Sequence, residues 1–182
     1  MKLIFDARRD ASNLAKYGVS LALAHEMEWG FAQCKIDTRR DYGEPRHIGY
    51  SVGGDRLYCV VFVDRPTDAP SERRIISLRH ATKLECSRLA SFGAEVAKHR
   101  PWLEPSQHED EVISVAMAHD ADTYELGAAE FRQLRVCPVP HGGKKVELTL
   151  RLDAGLVEKL KAMGPDWQSR VNDGLQAWVE GG

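Results

Sequence analysis

One alternating stretch near the C-terminus constrains the fold more than any other feature. In VELTLRL, residues 146–152, Val146, Leu148, Leu150 and Leu152 share one side of an extended chain and Glu147, Thr149 and Arg151 the other, because successive strand side chains point to opposite faces. Two short helical patterns follow. Asp153 caps a first helix burying Leu156, Val157 and Leu160; Gly164 and Pro165 make a turn; Asp166 caps a second helix burying Val171, Leu175 and Val179. A strand and two short helices bury too little surface to stand alone, and an unpaired strand leaves a row of backbone donors and acceptors open. The pattern therefore predicts that the strand pairs with a second copy of itself, in a homodimer through residues 146–179. Glu147, Thr149 and Arg151 are then left together on the open face of the pair. Pairing with a sheet elsewhere in the chain would leave that selection of polar residues unexplained.

The remainder of the 182 residues reads as α+β. KLIFD is a short strand, and SNLAKYGVS a helix closed by Gly18, since glycine readily takes the left-handed conformation past a helix end. Ser20 caps a second helical stretch, LALAHEMEW. AQCKID, RHIGYSV, RLYCVVFV and RRIISL read as an antiparallel meander, with GGD as one of its turns. Thr82 and Glu85 have capping-box spacing, which predicts a helix to about Lys98. Pro101 and Pro105 then stop it. The expected organisation is a first domain over 1–99, a linker over 100–108, two short acidic helices over 109–140 (DEVISVAMAHD and ELGAAEFRQL) and the strand-helix-helix module over 141–182.

Charge follows the same divisions. Residues 1–100 carry seventeen basic and thirteen acidic side chains, a net +4; residues 101–140 carry two and eight, a net −6; residues 141–182 are neutral. Short acidic helices cannot persist unaided, and a basic domain beside them offers a surface to lie on. No stretch has the roughly 20 apolar residues that a membrane helix needs, so a cytoplasmic protein without membrane partners is expected. Cys34, Cys59, Cys86 and Cys137 form no CxxC pair and share no ligand spacing with the histidines, so buried thiols are expected and no metal or other cofactor is assigned.

Specific words carry a resemblance. FDARRDASNLAKYGVS, PRHIGY, RLYCVVF and RRIISLRHAT resemble the BrnT toxins, whose fold is similar to that of RelE-type ribonucleases. DEVISVAMAHDADTYELGAAEF followed by LTLRLDAGLVEKLKAMGPDWQSRVN resembles BrnA, the antitoxin of the same type II toxin–antitoxin systems. Here the two are consecutive in one chain. The resemblance implies a RelE-like antiparallel sheet with helices, an RNA substrate, toxin–antitoxin contact within or between chains, and a C-terminal ribbon-helix-helix dimer whose paired strands enter the major groove of operator DNA. In such a dimer Arg151 would bind guanine O6 and N7 together, Glu147 would accept from cytosine N4, Thr149 would address several base edges, and backbone amides from Asp166 to Gln168 would hold a phosphate.

Such a ribonuclease must hold the scissile phosphate, neutralise its developing charge and move a proton off the ribose 2′-hydroxyl. Arg74 and Arg79 are the expected phosphate clamp, Arg46 assists, and Lys16 or His80 handles the proton. Tyr17 stands where the resemblance leads one to expect a histidine, and His80 where it leads one to expect a lysine. Tyrosine, with an ordinary pKa near 10, is a poor base at neutral pH. Three readings follow: an endoribonuclease toxin fused to an antitoxin that represses its own operator, a repressor carrying an inactive toxin-like domain, or a module that binds only protein.

Overall fold

The strands and helices written into residues 1–92 form most of a mixed six-stranded sheet with helices packed on it. A computed structural model describes residues 1–67, 70–92, 97, 101–137, 153–162, 164, 167, 170, 171, 174, 175 and 178. They belong to two compact units, Met1–Gly142 and Gly143–Gly182. In the first unit β1 (Lys2–Ile4) leads to α1 (Ala7–Tyr17), then through 3-10 turns at Leu21–Glu26 and Trp29–Phe31 to β2 (Gln33–Ile36). The strands β3 (Arg46–Gly53), β4 (Arg56–Arg65) and β5 (Glu72–His80) precede α2 (Lys83–Ser91). The acidic segment adds α3 (Gln107–Ala118), the single turn α4 (Ala128–Phe131) and β6 (Arg135–Val136).

Local chemistry sets the element ends. Asp6 accepts from the amides of Arg8 and Arg9 at 3.0 Å to open α1, and Gly18, at φ 67°, closes it by donating to Leu14 O. Thr82 with Glu85, and Ser106 with Glu109, form reciprocal capping boxes at the starts of α2 and α3. Within the stretch expected as a linker, Leu103 N donates to Asp55 O at 2.7 Å and Leu103 bridges Arg56.

The strand order is β1-β5-β4-β3-β2-β6. The expected meander is present, with β3, β4 and β5 antiparallel in sequence and β2 antiparallel to β3. The sheet is nonetheless mixed rather than antiparallel throughout, because β1 pairs parallel with β5 in the register Leu3↔Arg73. A three-residue edge strand joined to β5 only through the rest of the domain has no hairpin to impose its direction. Past β1 the edge of β5 is finished by α1: the Asn13 side chain donates to Leu78 O at 2.6 Å and accepts from Leu78 N at 3.1 Å, replacing a neighbouring strand. The opposite edge is covered by β6, which pairs with Gln33 and Cys34 of β2. The expected second acidic helix is reduced to the single turn α4, and residues 135 and 136 beyond it join the sheet, a pairing that no two-residue pattern can announce. Gly49 is required where β3 meets β2, since a Cβ there would lie 2.4 Å from Gln33 O.

Both faces of the sheet are buried. One carries Tyr17, Val19, Leu21 and Ala24 against Val60, Phe62, Ile75 and Leu78. The other carries Ile48, Tyr50, Cys59 and Val61 beneath Cys86 and Leu89 of α2, and is completed by Leu126, Phe131 and Leu134 from the acidic segment. Each buried face also encloses an ion pair. Arg73 makes two 2.7 Å bonds to Asp64, its guanidinium 4.4 and 4.0 Å from the ring centroids of Trp29 and Phe62. Arg79 makes bonds of 2.7 and 2.8 Å to Glu85, both side chains fully buried.

In the second unit α5 (Ala154–Ala162) follows Asp153, whose Oδ1 accepts from Gly155 N at 2.9 Å, the capping read from the sequence. Residues 146–152, and with them Glu147, Thr149 and Arg151, lie outside the described residues, as does Gln168.

Removing one partner of a fully buried ion pair leaves a charge without water or counter-charge. Glu85→Ala should therefore cost about 3–5 kcal/mol of stability, and Glu85→Gln clearly less, because an amide oxygen still accepts from Arg79 and Thr82 N. Urea titration of the full chain checks this; equal costs for the two substitutions would show that the bonds, rather than the charge, are immaterial.

Candidate functional site

Alternation along the strands places Arg46, Ile48 and Tyr50 of β3, Cys59 of β4 and Arg79 of β5 on the same face of the sheet. The last turn of α1 brings Lys16 and Tyr17 to its border. Residues 119–127, which connect α3 to α4, run across this face and bring one acidic or carbonyl group to each cation.

Asp120 is nearly buried. Its Oδ2 accepts from the Tyr17 hydroxyl at 3.0 Å and lies 3.3 Å from Lys16 Nζ. Asp122 binds Arg9 Nη1 at 2.8 Å through one oxygen and Arg46 Nη2 at 3.1 Å through the other, and its backbone carbonyl also accepts from Arg46. Arg46 is itself buried, its Cζ 4.6 Å from the Tyr42 ring centroid, and its Nε has no hydrogen-bond partner among the described residues. Burial works to raise the Asp122 carboxyl, but its bonds to Arg46 and Arg9 outweigh that and hold it below the usual range.

Arg79 is the most completely engaged of these groups. Its Nη1 donates to Glu85 Oε2 and to His80 O, its Nη2 to Glu85 Oε1 and Tyr124 O, and its Nε to Thr123 Oγ1 at 3.2 Å. An arginine has five donors, and each is accounted for here, two of them by the acidic segment. Beside it Arg39, held by two bonds to Asp37 of 3.0 and 2.8 Å, lies over the Tyr124 ring with Cζ 3.7 Å from its centroid. The rim adds Lys35 to Glu130 at 3.0 Å, Arg56 to Glu109, and Arg88 to the Leu126 carbonyl at 2.6 Å.

Of the residues singled out in the sequence, Lys16, Arg46 and Arg79 thus meet the acidic segment. Arg74 is half-buried without a hydrogen bond among the described residues, its charge helping to hold Glu44 low. His80 turns to the other face, where its ring stacks on Tyr58 at 4.7 Å and its buried Nδ1 has no hydrogen-bond partner among the described residues; burial lowers its pKa. Tyr17 is pushed well above its ordinary pKa, by burial first and by Asp120 second, so its hydroxyl is a proton donor and not a base. Sequence reasoning missed Arg9 and Arg39, and the residues Asp120, Asp122, Thr123 and Tyr124 that cover the face. The run HDADTY was the available signal, a polar cluster with an aromatic ring just past a helix end.

The four cysteines are buried free thiols, with Cys59 and Cys86 pushed up to about 12, chiefly by burial. Among the described residues no three His, Cys, Asp or Glu side chains converge as metal ligands, and no helix is long and apolar enough to cross a membrane. What the face offers is a row of cations and one stacked guanidinium, suited to the phosphates and bases of a nucleic acid.

Residues 5–85 match the family model of BrnT, the ribonuclease toxin of a type II toxin–antitoxin system, and residues 106–179 match that of BrnA, a type II antitoxin. No curated protein matches the chain. The contacts of Arg9, Lys16, Tyr17, Arg39, Arg46 and Arg79 with residues 120–124 therefore run between a toxin sequence and an antitoxin sequence. The chain joins a BrnT toxin and a BrnA antitoxin in one polypeptide, a fused type II toxin–antitoxin protein.

Proposed function

We propose that residues 1–92 form a RelE-like endoribonuclease kept silent by residues 103–137, and that residues 146–179 form a ribbon-helix-helix homodimer that binds operator DNA and represses the chain's own transcription. The observation that supports the first half is the pairing of Asp120 with Lys16 and Tyr17, and of Asp122 with Arg9 and Arg46. Cations that would hold RNA phosphate are neutralised by these carboxylates. In this reading Lys16 and Arg46 contact phosphate. Arg79 is a clamp whose Nε and one Nη2 donor become available only when Thr123 and Tyr124 leave. Arg74, expected from the sequence to share the phosphate clamp with Arg79, is in this reading only a supporting positive charge, and His80, facing away, does not carry the proton.

Joining the two parts in one chain raises the local concentration of the inhibitor to roughly millimolar, so neutralisation in cis is favoured over neutralisation in trans by a second copy. The second half of the proposal rests on the outward Glu147, Thr149 and Arg151 and on the amides near Gln168, which suit base edges and a phosphate. The second reading, a repressor with an inactive toxin-like domain, is supported by Tyr17, which holds its proton where the motif resemblance leads one to expect a histidine.

Asp120→Asn with Asp122→Asn and Tyr124→Ala, in the full chain, should open the cationic face. Labelled RNA then separates the readings: cleavage by this variant and none by the parent supports the silent ribonuclease. Binding without cleavage, restored to cleavage by adding Tyr17→His, supports the inactive domain. No gain in either binding or cleavage sinks both.

A protease site placed at residues 104–107 should leave the two parts associated after cutting, since the ion pairs and the Leu126, Phe131 and Leu134 packing do not depend on the peptide link. Size-exclusion chromatography of the nicked protein at micromolar concentration checks this, and two separate peaks would refute the contact-based mechanism.

The full chain should be a dimer by light scattering. Arg151→Ala should weaken binding to a selected operator by about 1–3 kcal/mol, the value of one bidentate base contact, without changing the dimer. A monomer, or undiminished operator binding, removes the DNA-reading half of the proposal.

A further inference from the structure

Asp120, Asp122 and Tyr124 are not equivalent plugs. The first two present carboxylates to ammonium and guanidinium groups, while the third presents the face of an aromatic ring to a guanidinium. Arg39 Cζ lies over the Tyr124 ring, 3.7 Å from its centroid, which is van der Waals contact with the ring face. The guanidinium is set for this role from behind. Asp37, itself buried, receives Arg39 Nε and Nη2 and the Tyr42 hydroxyl at 3.0, 2.8 and 2.9 Å. These bonds use the edge of the guanidinium and leave its flat face for a stacking partner. Tyr124 is fixed as firmly, its hydroxyl donating to Glu130 at 2.7 Å and its carbonyl accepting from Arg79 at 3.0 Å.

Two anionic groups followed by a planar ring, laid along Lys16, then Arg9 and Arg46, then Arg39, is the chemical order of two phosphates and an unstacked base. Arginine planes and aromatic rings are the platforms on which splayed-out bases of single-stranded RNA stack. On the reading that residues 1–92 act on RNA, we propose that Arg39 is the base-stacking platform of the substrate track, and that Tyr124 occupies the place of an RNA base. Arg39 thereby positions substrate without touching the reacting atoms. It selects RNA whose base is free to leave its neighbours, and it tolerates any base, because every base has a π face.

The test compares two ligands, a short fluorescent single-stranded RNA and an RNA of the same length without bases, on the full chain carrying Asp120→Asn, Asp122→Asn and Tyr124→Ala. This opened chain should bind the complete RNA at least about 5-fold more tightly than the base-free one, the lower end of what one stacked base contributes. Adding Arg39→Lys, which keeps the positive charge and can still reach Asp37, should bring that ratio close to one while leaving affinity for the base-free RNA unchanged. An unchanged ratio in the lysine variant overturns the role of Arg39 and leaves the occlusion reading standing. Failure of the opened chain to bind either RNA better than the parent overturns both. Since the triple substitution can disturb folding, Tyr124→Leu in the otherwise intact chain gives a second measurement. It vacates Arg39 and keeps both carboxylates, so adenosine 5′-monophosphate, but not ribose 5-phosphate, should shift the Arg39 Nε–H resonance. Equal responses to the two ligands, or none, refute the platform.

Discussion

A guanidinium removed from water must have its donors accepted by the protein, and in this chain that requirement falls on Arg79. Burial of Arg79 near the end of β5 forces Glu85 to face it, and Glu85 can do so only because Thr82 starts α2 at the right point in a capping box. Tyr50 adds its hydroxyl to the same carboxylate at 2.8 Å. Three donors are thereby placed within residues 1–92. The other two are accepted by Thr123 and Tyr124, so the interior of the toxin part is electrostatically complete only with the antitoxin part in position. Without residues 123 and 124 in place, those two donors would be left for water to take up.

Not every ion pair across this contact has the same weight. Arg9 and Lys16 are substantially exposed, and exposed pairs contribute about 0–1 kcal/mol and weaken with salt. Arg46 and Arg79 are buried, and their loss of water is offset only by good geometry. The apolar residues Leu126, Phe131 and Leu134, buried on the sheet, contribute about 1.5–3 kcal/mol each and are insensitive to charge. The contact is therefore held by packing and oriented by charge. That division explains how acidic segments with no core of their own can be ordered on a basic domain, and why salt alone is a weak means of separating them.

The edge strand β6 adds a further constraint. A sheet with β2 as its open edge would present unpaired backbone groups to other chains, and the antitoxin part supplies the two residues that cover it. Cys137, just beyond, donates its amide to Ala32 O at 2.7 Å and packs in the core cluster on the other face of the sheet. The antitoxin part thus contributes to both cores of the toxin part, which is the structural counterpart of the charge reversal near residue 100.

Much of the local structure was legible in the sequence, because caps, turns and alternation act over a few residues. Asp6 and Gly18 bracket α1, Thr82 and Glu85 open α2, Ser20 caps the following turn, and the meander from β3 to β5 follows from its alternating runs and the GGD turn. The charge reversal near residue 100 suited residues 101–140 resting on residues 1–100 but suited a solvated linker equally well. The tertiary structure alone decided which groups meet. The parallel pairing of β1 with β5, the two-residue β6, the outward turn of His80 and the stacking of Tyr124 on Arg39 all join residues far apart in the chain or depend on which face a strand presents. Local pattern carries no record of such distances; they are set when the sheet closes and each buried charge must find its partner.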